Sequence, residues 1–149
     1  MIMGKNLGIY KCPSCGYTLE VVEMGKKQLV CTGHSYASTC SIADAEVACC
    51  GKAMELLEPN TVEASTEKHL PVADFSEGKL TVKVGSVPHP MAAEHFIEWV
   101  TVVVGDRTQR VKLGAGQAPE AVFCIGEAAE VDIYAYCNLH GLWKASVKK

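Results

Sequence analysis

Residues Glu130–Cys137 read Glu-Val-Asp-Ile-Tyr-Ala-Tyr-Cys. Val131, Ile133, Ala135 and Cys137 fall on one parity and Glu130, Asp132, Tyr134 and Tyr136 on the other, the period-two signature of a strand with one dry face. Cys137 therefore points from the apolar face, away from bulk water. Working outward, Leu80, Val82 and Val84 alternate with Lys79, Thr81 and Lys83. The run 96–104 is nearly all apolar and rich in β-formers, which suits a central strand covered on both faces. Further short runs at 107–113, 121–125 and 142–147 are separated by glycine, proline or charged turns. Strands this short at this spacing predict a mainly β chain built on an antiparallel β-sandwich. No stretch has the pattern of a long amphipathic helix.

A chain of 149 residues holds one domain, or a small module joined to a domain of about 100 residues. The formal charge of −3 and the lack of clustered Lys and Arg exclude a broad nucleic-acid footprint. The opening Met-Ile-Met-Gly-Lys-Asn-Leu-Gly lacks the apolar run of a signal peptide, and no window has the length of a membrane-spanning helix, so a cytoplasmic protein is expected. In that compartment, eight cysteines point to metal binding or redox chemistry rather than to disulfides.

The cysteine spacing supports metal. Residues 10–17, Tyr-Lys-Cys-Pro-Ser-Cys-Gly-Tyr, contain a Cys12-x-x-Cys15 knuckle in which Gly16 frees the backbone to turn toward the sulfurs. One knuckle is half of a tetrahedral site. The adjacent pair Cys49-Cys50, followed by Gly51, would complete it with four thiolates; Cys31-x-x-His34 offers a zinc-ribbon-like alternative. Cys40 reads as a spare thiol in a loop rich in Ser, Thr, Ala and Gly, and Cys124, within Val-Phe-Cys-Ile, as a plain buried cysteine. Residues 57–66 have no apolar periodicity and several turn formers, as a linker would.

Histidines are few, yet four stand in constrained settings. His89 and His95 lie in Val-Pro-His-Pro-Met-Ala-Ala-Glu-His-Phe-Ile-Glu-Trp, residues 87–99. His89 is clamped between Pro88 and Pro90, which hold its backbone extended. His69 occurs in Thr-Glu-Lys-His-Leu-Pro, and His140 follows Cys137 by three residues in Tyr-Cys-Asn-Leu-His-Gly-Leu-Trp. Any one of them alone reads as a surface histidine. Together with a cysteine they read as ligands for a borderline metal.

In order and type, Glu67-Lys68-His69, then Pro88-His89-Pro90-Met91 with Glu94-His95, then Cys137-Asn138-Leu139-His140-Gly141 with Trp143, resemble the superoxide reductases, the desulfoferrodoxin and neelaredoxin group. The resemblance spans about residues 50–146. It implies an immunoglobulin-like β-sandwich over 67–149, preceded by a linker at 57–66 and a small desulforedoxin-like metal-binding domain over 1–56. It also implies one iron bound in a plane by His69, His89, His95 and His140, with the Cys137 thiolate axial and the sixth position open. Cys12, Cys15, Cys49 and Cys50 become the preferred ligands of the first site, holding iron or zinc. Residues 31–48 depart from the family pattern as an insertion bearing Cys31, His34 and Cys40.

Five mixed N and S donors do not suit structural zinc, which closes as a tetrahedron, but suit iron with a vacancy for a small oxidant. The resemblance implies reduction of superoxide to hydrogen peroxide, with a rubredoxin-like donor re-reducing the iron. It assigns Lys68 to attract and help protonate the anionic substrate and Glu67 to occupy the sixth position of the ferric resting state. Trp99 and Trp143 are expected to pack the iron loops. A module of about 50 residues has little core of its own, so metal should support its folding, and a homodimer formed through it is expected. The competing readings are a non-catalytic iron electron carrier, a non-haem oxygenase, which would need two histidines and a carboxylate, and for 1–56 alone a metal-stapled interaction module.

Overall fold

The computed structural model describes residues 7–22 and 48–149. The chain divides into two compact units, Met1–Leu57 and Glu58–Lys149. Cys31, His34 and Cys40, and all of the expected insertion before Ala48, lie outside the described residues.

In the first unit, β1 (Gly8–Lys11) pairs antiparallel with β2 (Thr18–Val21), placing Tyr10 opposite Leu19. The knuckle joins them: the Tyr17 carbonyl accepts from Cys12 N at 2.8 Å and the Cys12 carbonyl from Gly16 N at 3.0 Å, with Gly16 at φ 75°. A two-residue hairpin joins β3 (Ala48–Cys49) to β4 (Lys52–Ala53). Its central residues, Cys50 and Gly51, have φ of 53° and 70°, the left-handed pair of a type I′ turn. β5 (Glu55–Leu56) returns to the free edge of β1. Cys12 and Met54 form a minimal core, with Tyr10 and Cys49 packed against it.

The second unit is an antiparallel β-sandwich. A turn of helix, α1 (Thr66–His69), leads into β6 (Pro71–Ser76), β7 (Lys79–Val84), β8 (Ile97–Val104), β9 (Arg107–Lys112), β10 (Glu120–Cys124), β11 (Glu130–Cys137) and β12 (Gly141–Lys148). One sheet has the order β10-β7-β6 and the other β12-β11-β8-β9. Alternation builds the core between them. Leu80, Val82 and Val84 from the first sheet meet Val100, Val102, Val131, Ile133 and Ala135 from the second, all fully buried. Each such Val, Leu or Ile contributes about 1.5–3 kcal/mol by leaving water. No helix among the described residues is long and apolar enough to cross a membrane.

Three features go beyond the alternation. The outer face of β11 is covered as well: Tyr136 stacks on Trp99 at 5.5 Å, the Arg110 guanidinium lies 4.9 Å over Trp99, and the Lys144 ammonium lies over Tyr134. β6 adds a strand that the alternation did not suggest, with Pro71 opposite Val84 at its start. Within 57–66, Asn60 serves as a partner for β12. Its Oδ1 accepts from Lys144 N at 2.8 Å, its Nδ2 donates to Lys144 O at 3.0 Å, and its own N donates to Leu142 O at 2.9 Å.

One expectation is corrected. Cys124 is exposed, not buried, because Ala121, Phe123 and Ile125 take the inward parity of β10 and leave Val122 and Cys124 facing out.

Candidate metal centre

Each of the four histidines is set by a different piece of backbone. His69 ends α1 and is buried. His89 is buried between its prolines, with its N donating to Val84 O at 3.2 Å. His95 sits in the loop before β8, in a bridge with Ala92. Cys137 ends β11 and His140 lies in the turn to β12, where Trp143 Nε1 donates to His140 O at 3.2 Å. A bulge falls at this point: Tyr136 opposes Trp99, whereas Cys137 opposes Ile97, so Glu98 is passed over. Trp143 also stacks on His69 at 4.8 Å, which packs the ring against the sandwich.

The four rings close into a near-square. Centroids of His69 and His89 are 4.6 Å apart, His89 and His95 4.6 Å, His95 and His140 4.8 Å, and His140 and His69 4.7 Å, each ring edge-on to the next. The His69–His95 diagonal is 6.2 Å. Cys137 Sγ lies 3.7 Å from His140 Nδ1, and one ligand atom from each of the five residues falls within 4.8 Å of every other.

The protonation pattern follows from the partners. His69 Nδ1 is 2.7 Å from Ser65 O and His89 Nδ1 is 2.6 Å from Pro90 O. A carbonyl only accepts, so both Nδ1 atoms carry the proton and both Nε2 atoms present lone pairs. Burial pushes the His69, His89 and His95 pKa values below 6.5, that of His89 to about 4, so these rings are neutral at pH 7. His95 Nε2 is buried with no hydrogen-bond partner among the described residues. Burial raises the Cys137 thiol above 9.0, while the His140 and Leu139 backbone N–H groups at the sulfur oppose that rise. Converging lone pairs, an orphaned buried nitrogen and a buried sulfur are what a cation would satisfy. Five N and S donors fit iron and exceed the four of structural zinc.

Glu67 and Lys68 lie outside this cluster. Both are exposed on α1, and the Glu67 carboxylate accepts from Ser65 Oγ at 3.4 Å. After burial and the neighbouring histidines, the Lys68 charge is a further cause of the lowered His69 pKa, so its field reaches the pocket. The peptide of these two residues is pinned: Val87 N and Ser86 Oγ both donate to Glu67 O, at 3.0 and 3.3 Å.

In the first unit, Cys12, Cys15, Cys49 and Cys50 converge with their sulfurs within 4.8 Å of one another. The Cys15–Cys49 separation is 3.7 Å and the Cys49–Cys50 separation 3.9 Å, and all four are free thiols. Backbone N–H groups of Cys15 and Ser14 lower the Cys12 pKa to about 7, whereas the hydrogen bond with Cys15 foremost pushes Cys49 up to about 12. Four sulfurs so close cannot all ionise without a cation among them. The alternative partners Cys31 and His34 lie outside the described residues.

Sequence reasoning did not single out Ser65 O, Pro90 O or Asn138. The first two are backbone atoms and leave no residue-type signal; Asn138 stood inside the quoted Cys-Asn-Leu-His run without a role.

Residues 61–146 match the family described as desulfoferrodoxin, and residues 4–36 its N-terminal domain. The desulfoferrodoxin of Desulfarculus baarsii is 42% identical over 143 residues, spanning 96% of this chain and 98% of that protein. A superoxide reductase of Pyrococcus horikoshii is 33% identical over 100 residues, 55% of this chain and 87% of its own. The crystal structure of the superoxide reductase from Treponema pallidum superposes with a TM-score of 0.64 at 29% identity, covering 95% of this chain and 99% of that one.

Proposed function

The chain belongs to the desulfoferrodoxin family, and from that premise we propose that it is a superoxide reductase. Superoxide takes up one electron and two protons and leaves as hydrogen peroxide. His69, His89, His95, His140 and Cys137 would hold an iron, which when bound would supply that electron by going from Fe(II) to Fe(III). The observation behind this reading is the square of imidazoles closed by a buried sulfur, with His95 Nε2 unpartnered among the described residues.

The chain's own groups then have distinct tasks. The carbonyls of Ser65 and Pro90 hold His69 and His89 in the tautomer that aims Nε2 inward. Trp143 shields one side of His69 and anchors the His140 turn. Lys68 attracts the anion in an otherwise acidic protein and helps deliver a proton to the departing peroxide. Glu67, on the same turn, would serve as a further ligand to the oxidised metal. Cys12, Cys15, Cys49 and Cys50 hold a second metal, iron or zinc, that staples the small unit. A rubredoxin-like protein would return the electron, and a homodimer in the cytoplasm belongs to the same reading.

Stoichiometry tests it. With excess reductant, a reductase yields one peroxide for each superoxide consumed and no dioxygen. A yield of half a peroxide with matching dioxygen would make the protein a dismutase, and no consumption with a metal that ignores azide would make it an electron carrier.

A further inference from the structure

Three of the site's histidines have a nearby hydrogen bond that steadies the ring or its backbone. The carbonyls of Ser65 and Pro90 hold the rings of His69 and His89, and Trp143 holds the His140 backbone. His95 differs: its Nε2 is buried with no hydrogen-bond partner among the described residues. Its backbone is paired only within its own loop, where Ala92 N donates to His95 O at 3.0 Å and His95 N to Ala92 O at 3.1 Å. Its ring meets those of His89 and His140 edge-on, and its backbone is placed by whatever holds the peptides on either side.

Asn138 holds both. Its Nδ2 donates to Glu94 O at 3.0 Å, and its Oδ1 accepts from Phe96 N at 3.0 Å. These partners fix the amide orientation, since a carbonyl requires the NH2 group and an N–H requires the oxygen. The Asn138 backbone N adds a bond to Phe96 O at 3.2 Å, and the next peptide, Ile97 N, donates to Met91 Sδ at 3.4 Å. One side chain thus ties the His95 loop to the turn bearing Cys137 and His140. The β8–β11 ladder reaches only to Ile97, opposite Cys137 beyond the bulge, and stops short of His95.

We propose that Asn138 is a positioning residue for His95, clamping its flanking peptides so that Nε2 is aimed into the donor cluster and kept in step with Cys137 and His140. This rests on the reading of His95 as an iron ligand. The clamp touches neither substrate nor metal, so it acts through ligand geometry, where loss of such outer support typically weakens metal binding about 10–100-fold.

The test is a double-mutant cycle on the iron-loaded full chain with Asn138→Ala, His95→Ala and both together. It reads the rate of iron release to a chelator and the ferric electron paramagnetic resonance spectrum. Asn138→Ala is expected to release iron about tenfold faster and to change the spectral rhombicity. In the His95→Ala background it should add nothing, since the residue it positions is gone. Additive losses would overturn the proposal, because Asn138 would then be supporting the site by another route. If His95→Ala alters both readouts and Asn138→Ala neither, the clamp is refuted while the ligand reading stands. If His95→Ala leaves both unchanged, the ligand reading itself fails. Should Asn138→Ala not fold, Asn138→Asp carries the same test: it keeps the acceptor for Phe96 N–H and sets a second oxygen against Glu94 O.

Discussion

His69 Nε2 and His89 Nε2 lie 3.1 Å apart, on two rings whose Nδ1 atoms each face a carbonyl. Each ring has spent its N–H on a carbonyl, Ser65 O or Pro90 O, and burial keeps both neutral. Two lone pairs facing each other at that distance repel unless a cation lies between them. A cation between them would satisfy both, and His140 Nδ1 lies 2.9 Å from the same His69 Nε2.

Removing one corner of the square should break the site without disturbing the other unit. His95→Ala is expected to lower the superoxide reduction rate by at least about 100-fold, beyond the usual loss from outer partners alone. The Cys12 cluster should keep its metal. Pulse radiolysis together with metal analysis checks this, and full activity in the variant would remove His95 from the site.

Lys68→Ala should slow the bimolecular reaction with superoxide about tenfold at low ionic strength while leaving iron content unchanged. Added salt should narrow the gap, because the field of an exposed charge is screened within about 10 Å at 0.1 M. An equal rate at low salt would leave Lys68 as an ordinary surface lysine.

Gly85 has φ +87°, and a Cβ there would come within 2.2 Å of Val87 O, 2.6 Å of Lys68 O and 2.8 Å of Glu67 O. Gly85→Ala should therefore destabilise the protein by more than the roughly 1–2 kcal/mol of a left-handed L-residue alone. It should also shift the Glu67–Lys68 peptide. Denaturant unfolding reads the first effect, and a change in the salt dependence of the superoxide reaction reads the second.

Acid should weaken the metal-free protein. His69, His89 and His95 are held below 6.5 in the fold, burial being the largest cause, so the unfolded chain binds protons that the fold refuses. Their contribution is intact above about pH 6.5 and is lost as pH falls toward 4, the value to which His89 is depressed. Thermal unfolding of metal-free protein across that window should show Tm falling with pH. His89→Gln should flatten the slope, and an unchanged slope would mean that His89 is not excluded from protonation.

For the first unit, Cys49→Ser is expected to lose the metal there, whereas His34→Ala keeps it and the second-unit iron survives both. The reverse pattern in metal content would install Cys31 and His34 in place of Cys49 and Cys50.

Much of the second unit is legible from alternation, because strands β7, β8 and β11 are patterned by which face they bury and the sandwich follows from that. β6 was not, since its inward positions, Pro71, Ala73 and Phe75, make a weak apolar pattern beside an exposed Val72. Cys124 was misjudged for a related reason: a short apolar run does not declare which parity faces in until Phe123 and Ile125 compete for the core. The His and Cys set was legible because metal chemistry admits few residue types, and each of these is rare enough to stand out. Asn138 was not, because its task depends on which backbone atoms lie beside it.

By itself the sequence determined the residue types of both donor sets and the two-fold periodicity that makes a sandwich, since both are properties of side chains along one chain. Tertiary structure alone decided that the four rings close into a square, that Ser65 and Pro90 choose the tautomers, and that Asn138 bridges two loops. Those depend on distances between atoms far apart in sequence and on backbone carbonyls, which every residue possesses and no residue type announces.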